Sequence, residues 1–341
     1  MSFTQQFTYS IGNTTSSVAV GDLNGDNQID LIFPNLNEND IYVFLGNGNG
    51  NFRSPTTFTT RTNPYGVAIS DINGDNHPDI AVAHLSDSSV GISLGVGNGT
   101  FFSQSSLTVG SYPTTVSVQD FNGDQRLDLL VVNNGGNTVS ILLGYANGTF
   151  ASQKSFTTFI YPMVAVVADF NHDNSLDFAV TNYGSNSVSV HLGYGNGTFR
   201  TRMSYATMMN PWGLATSDLN GDQHMDLVVA NCANSTMSVL LGNGNGTFRT
   251  AVNYMIGSCA YALAIGDMNG DTYLDVVAVA TFSNYFSIFL GDGRGSLLEW
   301  WSFLTDYSPT SLALYDFNSD GRLDIVIGHY TGTVSVFLNT C

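Results

Sequence analysis

Between residues 199 and 247 four apolar runs alternate with polar clusters. FRTRMSYAT alternates apolar and polar positions after a Gly-Thr turn, and WGLATSD follows an Asn-Pro turn. MDLVVAN is a continuous apolar run of strand length, and MSVLLG is the fourth. Asn, Gly, Pro and Ser fill the gaps, and no window carries the apolar spacing of a helix. Val, Ile, Thr and aromatic residues dominate the runs, as half-buried strands prefer. The pattern predicts four short strands.

The same pattern returns along the chain. Its clearest marker is an acidic loop after the first run, whose leading aspartates are Asp22, Asp71, Asp120, Asp169, Asp218, Asp267 and Asp316, each 49 residues from the next. Four strands in about 40–50 residues, repeated, define a propeller blade. The expected fold is therefore all-β: a seven-bladed β-propeller of four-stranded antiparallel blades, with residues 1–341 as one domain. Phe3 falls in register with Phe52, Phe101, Phe150, Phe199 and Phe248, with Leu297 the one exchange, so the chain starts on an outer strand and stops after the third strand of its last repeat. Residues 3–9 are expected to pair with 334–338 and close the ring, which would remove exposed sheet edges.

Each acidic loop reads D-x-N-x-D-x-x-x-D. The side-chain oxygens are those of Asp22, Asn24, Asp26 and Asp30 in the first loop, Asp71, Asn73, Asp75 and Asp79 in the second, and Asp120, Asn122, Asp124 and Asp128 in the third. They continue with Asp169, Asn171, Asp173 and Asp177, then Asp218, Asn220, Asp222 and Asp226. Asp267, Asn269, Asp271 and Asp275, and Asp316, Asn318, Asp320 and Asp324, complete the set. Donors at positions 1, 3, 5 and 9, with the carbonyl at 7, wrap one cation in oxygen. Several carboxylates suit calcium, whereas magnesium keeps its water and zinc asks for Cys or His. Flanking strands and an Asp at position 9 separate the loop from an EF-hand. Up to seven calcium ions are expected. His172 and Ser319 stand at position 4, where the other loops have Gly.

Charge supports this reading. The net formal charge is −18, and 21 of the 27 acidic residues lie in the loops; seven divalent cations, at +14, would leave −4. One lysine and eight scattered arginines form no basic stripe, so nucleic acid is not an expected partner. No run of 18 apolar residues exists, so no membrane insertion is expected. The opening MSFTQQFTYS shows no secretory signal, and in an exported protein this chain would be a mature form or a fragment.

With the loops and the segments LGNGNGNF (45–52), LGVGNGTF (94–101), LGYANGTF (143–150), LGYGNGTF (192–199) and LGNGNGTF (241–248), the chain resembles the FG-GAP/VCBS repeat propellers over essentially its whole length. LGDGRGSL (290–297) is a degenerate copy. That family includes the amino-terminal domain of integrin α-subunits. The resemblance implies seven blades and calcium in the matching loops. Integrin α-subunits usually carry the loop in only some blades, whereas here all seven have it, a uniformity similar to a secreted fungal lectin group that binds sugars between blades.

Catalysis is not expected. Nearly all residues of the innermost strands are small or apolar, and the acids outside the loops (Glu38, Asp40, Asp87, Asp292, Glu299 and Asp306) suggest no paired carboxylates for glycoside chemistry. A polysaccharide lyase is the third-ranked function. The loops at the opposite end of each blade are richer than turn-making requires. The connections supply Tyr65, Tyr112, Tyr161, Trp212, Tyr261 and Tyr307, and the second turns begin with Asn35, His84, Asn133, Asn182, Asn231 and His329. Two readings are open: turn capping and packing, or aromatic platforms beside amides that hold sugar. Under the second, the ligand residues are Tyr112, Asn133, Tyr161, Asn182, Trp212, Asn231 and Tyr261, repeated for avidity.

Cys232 and Cys259 map to neighbouring loops at that end, and a disulfide or a reduced pair are both open; Cys341 is the odd thiol. Of six Asn-x-Ser/Thr sequons, at Asn13, Asn98, Asn147, Asn196, Asn234 and Asn245, four belong to the GNGT turn and read as turn chemistry. Low-affinity calcium loops fill best at extracellular calcium. The expected protein is a monomeric, calcium-stabilised extracellular or cell-surface binding module, with carbohydrate as first partner and an extracellular protein, integrin-like, as the alternative.

Overall fold

The computed structural model describes residues 2–12 and 14–340, with the side chains of Gln5, Gln6 and Glu299 left out. Asn13 and Cys341 lie outside the described residues. Within them are seven four-stranded antiparallel sheets, a two-stranded ribbon of Gly144–Tyr145 and Thr149–Phe150, and one turn of 3-10 helix at Tyr183–Ser185. Each sheet is one predicted repeat. The first blade takes Ala19–Gly21, Asp30–Asn35, Asp40–Phe44 and Thr56–Thr59 in sequence order, and blades 2–6 follow the same plan.

The second strand explains why one apolar run per repeat is continuous. DLIFPN, DIAVAH, DLLVVN, DFAVTN, DLVVAN, DVVAVA and DIVIGH are each buried at every position. A strand covered on both faces has no polar side to alternate with. In the first blade, Leu31 and Phe33 pack into one cluster with Val326, Val336 and Leu338 of the seventh. Ile32 points the other way, to Ile80 and Val82 of the second. The period of two thus shares each strand between two cores. Outer strands such as Thr56–Thr59 are mostly exposed, which fits their polar sequence.

Two compact units divide the chain. One is Met1–Asp120, Asp124–Ser155 and Ser311–Cys341 and carries blades 7, 1, 2 and 3; the other is Phe121–Gly123 and Phe156–Thr310 and carries blades 4, 5 and 6. In the first unit the N-terminal strand Phe3–Ser10 pairs antiparallel with Thr333–Asn339, from Phe3 opposite Asn339 to Ser10 opposite Thr333. The last blade therefore takes its outer strand from the start of the chain, as expected, with a bulge between Gln5 and Phe7.

The repeat is not uniform throughout. Leu31 faces Phe44 in the first blade, but Ile325 faces Phe337 in the seventh, so its second turn is one residue shorter. The 49-residue interval between acidic loops does not register this, because the deletion follows the last loop.

Candidate metal loops and binding end

The acidic loops are built on their own backbone. In the first, the Asp22 carboxylate accepts from the amides of Gly25 and Asn27 at 2.8 Å each. Asn24 Oδ1 accepts from Asp26 N at 2.9 Å, and Asp26 Oδ1 accepts from Gln28 N at 2.8 Å. Position 6 is left-handed in every loop: Asn27, Asn76, Gln125, Asn174, Gln223, Thr272 and Gly321 all have positive φ. Asn and Gly tolerate that region best and fill four of the seven positions, while Gln125, Gln223 and Thr272 hold it against their preference.

The aspartate at position 9 has a different place. Asp30, Asp79, Asp128, Asp177, Asp226, Asp275 and Asp324 are 0% exposed. Asp30 Oδ2 accepts from Leu23 N and Oδ1 from Gly46 N, both at 2.8 Å. It staples the acidic loop to the LGNG loop of its own blade. Gly46 is required there, since a Cβ would sit 2.2 Å from the Ile29 carbonyl oxygen. The seventh blade uses Asn339 N instead, at 2.8 Å from Asp324 Oδ1. The LGNG loop then reaches the preceding blade: Gly50 N donates to Phe317 O at 2.9 Å and Gly246 N to Phe170 O at 2.8 Å. Acidic loops therefore belong to the contact between blades.

These residues fit a hard divalent cation by their donor set. Each loop gathers three carboxylates and one amide oxygen in nine residues, and two exposed pairs bring Arg to a loop, Arg200 with Asp173 at 3.8 Å and Arg322 with Asp320 at 3.6 Å. Burial, reinforced by the charges of Asp26 and Asp22, pushes Asp30 up to about 6 against the opposing hydrogen bonds from Gly46 and Leu23. Burial likewise raises Asp177, Asp226 and Asp324 to about 6, and moves Asp79 and Asp275 in the same direction. A buried anion short of countercharge is what a bound cation would relieve. Among the described residues no three His, Cys, Asp or Glu side chains converge on one point. The donor chemistry and the like charges carry the fit.

A pH prediction follows for the cation-free protein. A carboxyl raised from 3.8 makes the folded chain hold protons more tightly than the unfolded one. Stability is then highest below about pH 4 and falls as pH rises to about 6. His84 and His191 oppose this, because burial lowers both from 6.5 to about 4 and their share is lost as pH falls through that window. With six aspartates against two histidines, melts in EDTA are expected to show higher stability at pH 4.5 than at pH 7. The opposite slope in EDTA would refute the buried-carboxylate picture.

At the other end of the blades the amides do not face outward. Asn133, Asn182 and Asn231 are 0% exposed. Asn133 Nδ2 donates to Ser140 Oγ at 2.8 Å, Asn182 Nδ2 to Ser189 Oγ at 2.9 Å and Asn231 Nδ2 to Ser238 Oγ at 2.8 Å. They tie the second strand to the third and cannot touch a ligand, so the sugar-holding reading is corrected at these three positions. His84 and His329 are buried at equivalent places, His84 Nε2 lying 2.6 Å from Thr60 Oγ1.

The aromatic side chains behave differently. Tyr112 and Tyr161 are 55% and 52% exposed, each with positive φ, and their carbonyls accept from Asn134 N and Tyr183 N at 2.9 Å. In the second unit Trp212 stacks on Tyr261, ring centroids 4.3 Å apart and 9° from parallel. Tyr183 meets Trp212 edge-on at 5.6 Å, and Phe282, 71% exposed, meets Tyr261 edge-on at 6.3 Å. The ladder Tyr183–Trp212–Tyr261–Phe282 runs from blade 4 through blade 5 to blade 6. Tyr183 and Phe282 escaped the sequence reading because they have no aromatic counterparts in most repeats; an aromatic one or two residues after the second strand was the available signal. Cys232 and Cys259 form a disulfide beside it, with an S–S distance of 2.00 Å. The loops around the ladder, residues 157–163, 180–187, 206–213, 229–236, 255–262 and 279–286, contain no Asp, Glu, Lys, Arg or His.

Seven four-stranded antiparallel sheets, each with an acidic loop between its first two strands, define a seven-bladed β-propeller. The chain belongs to the FG-GAP-like repeat family, which it matches in six overlapping stretches, residues 22–82, 71–131, 120–180, 169–229, 218–278 and 267–327. Among solved structures, BBS1N in complex with ARL6DN superposes with a TM-score of 0.71 at 13% identity, over 99% of this chain and 97% of that one. An Agrocybe aegerita lectin that recognises non-reducing terminal N-acetylglucosamine gives 0.62 at 18% identity, over 94% and 87%. A catalytically inactive virginiamycin B lyase from Staphylococcus aureus, with quinupristin, gives 0.66 at 11% identity, over 98% and 99%. At these identities the likeness speaks to the fold alone. No curated protein matches the sequence.

Proposed function

We propose that the protein is a calcium-supported, non-catalytic binding module of the extracellular space whose ligand is an uncharged carbohydrate. The observation that carries the ligand class is the charge-free aromatic ladder Tyr183–Trp212–Tyr261–Phe282. Apolar sugar faces pack on rings, and hydroxyls pair with the backbone groups and amides of surrounding turns. An acidic glycan would need cations, and those loops carry none of their own, Arg202 from a neighbouring segment being engaged with Thr157 and Phe159. Calcium would be held by the position 1, 3, 5 and 9 side chains and the position 7 carbonyl, and bound there it would supply countercharge and rigidity. The disulfide supports an oxidising compartment. Propellers of other chemistry share the fold, so the site and not the fold bears the argument.

A glycan array in millimolar calcium tests the reading. Neutral glycans are expected to bind, and Trp212→Ala is expected to weaken binding on the order of tenfold, the size of one aromatic contact with its burial. No binding by a folded, calcium-loaded sample would move the assignment to a protein partner. That second reading draws on the blade 6 outer strand Leu297–Leu304, where Leu298, Trp300 and Leu304 are exposed.

A further inference from the structure

We propose that the outer strand of blade 6, Leu297–Leu304, pairs with the same strand of a second copy of this chain about a two-fold axis at Ser302. The strand stands at the open edge of its sheet. The outer strands of blades 1 to 5 are four residues long: TTFT, SSLT, KSFT, MSYA and VNYM. Blade 6 has eight, LLEWWSFL. Shortness is one of the ways in which sheets blunt their edges, and here that protection is missing. The inference is independent of the carbohydrate reading and names the protein that this strand takes.

Large apolar side chains stand exposed on both faces of the strand. Trp300 and Leu304, on one face, are 47% and 82% exposed, and Trp301, on the other, is 38% exposed. A partner laid flat on one face would leave the other wet. A strand added to the edge covers side chains of both faces through cross-strand pairs. The backbone is regular where it is needed: Trp300 to Leu304 run opposite Phe289 to Tyr285 in unbroken register, and the shift falls between Phe289 and Gly291. Trp300 stacks on Phe289 with ring centroids 5.9 Å apart, and Phe303 on Phe286 at 5.2 Å, so both rings are already placed.

Charge and residue order identify the partner. The segment WWSFL, residues 300–304, carries no charge in a chain of net formal charge −18, so two acidic copies can meet there without repulsion. Antiparallel pairing about Ser302 sets Trp300 against the partner's Leu304 and Trp301 against the partner's Phe303. Each exposed apolar side chain then meets an apolar one, as stable cross-strand pairs require. The nearest acidic positions, 299 and 306, fall opposite 305 and 298, so like charges are not opposed. Five residues a side bury less than the roughly 1,200–2,000 Å² of a standard interface, which sets the expected Kd on the order of 10–100 µM.

Sedimentation equilibrium of the full chain in calcium, from about 1 to 500 µM, tests the pairing. A monomer–dimer equilibrium is expected, with monomer dominant at low micromolar concentration. Ser302→Lys sets like charges against each other at the axis, and Leu304→Lys removes the apolar partner of Trp300. Each is expected to weaken association at least tenfold. Phe102→Ser, at a residue 61% exposed and outside the strand, should leave association unchanged. Melts in calcium confirm that the variants fold, and a glycan array on Ser302→Lys reads sugar binding separately from association. A monomer throughout the range, assembly beyond the dimer, or unaltered association in both lysine variants would overturn the pairing.

Discussion

Chelating calcium from the protein is expected to lower its melting temperature by more than about 10 °C. An ion bound only to the folded state adds roughly 2.7 kcal/mol at a hundredfold excess over its Kd, and seven loops are present. For chains of this order of size, each kcal/mol moves the midpoint by roughly 2–4 °C, so even a fraction of the sites suffices. The path of the effect is specific. Position 9 aspartates staple the acidic loop to the LGNG loop, and the LGNG loop hydrogen-bonds the preceding blade through Gly50 and Phe317 or Gly246 and Phe170. Loosening a loop therefore loosens a contact between blades.

Single variants separate the two roles of the carboxylates. Asp222→Asn is expected to destabilise in calcium and to be neutral or stabilising in EDTA, because it removes a charge that repels buried Asp226. Asp226→Ala is expected to destabilise in both, since Leu219 N and Gly242 N lose their acceptor, at roughly 1–3 kcal/mol each. Differential scanning calorimetry with and without calcium reads both. An unchanged melt in EDTA sinks the clamp, and an identical pattern for the two variants sinks the division of roles.

Removing residues 2–10 is expected to convert the protein into an aggregating species. The deletion uncovers Thr333–Asn339, which then presents an unpaired edge. It also removes Tyr9, which packs edge-on against Phe44 at 5.3 Å and accepts a hydrogen bond from Phe52 N at 2.9 Å. Loss of one strand and its aromatic anchor costs on the order of 3–5 kcal/mol before any association. Light scattering after size exclusion distinguishes the outcomes. A monomeric truncation with the parent's melting temperature would mean that the pairing contributes nothing to closure.

Local chemistry repeats, and repetition made it legible. The 49-residue interval, the four apolar runs and the start of the chain on an outer strand are all properties of residue order. Each rests on physics that acts within a few residues: alternation, turn preference and the crowding of carboxylates. The D-x-N-x-D-x-x-x-D residues of the seven loops, which we propose as oxygen donors, recur at the same interval. The sequence alone thus determined the blade, its number and its family.

Tertiary structure decided what lies between repeats. Asn133, Asn182 and Asn231 look like surface amides in sequence, yet each sits under its turn and bonds a serine of the next strand. Burial depends on what covers a residue, and the cover comes from elsewhere in the chain. The ladder from Tyr183 to Phe282 joins residues 29, 49 and 21 apart in order, on three blades, and the His172–His224 contact joins residues 52 apart. Trp212 and Tyr261 stand one repeat apart, but Tyr183, Phe282 and His172 have no like residue in most repeats, so no periodicity announces their contacts. What a repeated sequence encodes once per blade can be read from order; what makes one blade differ from its neighbour acts through space.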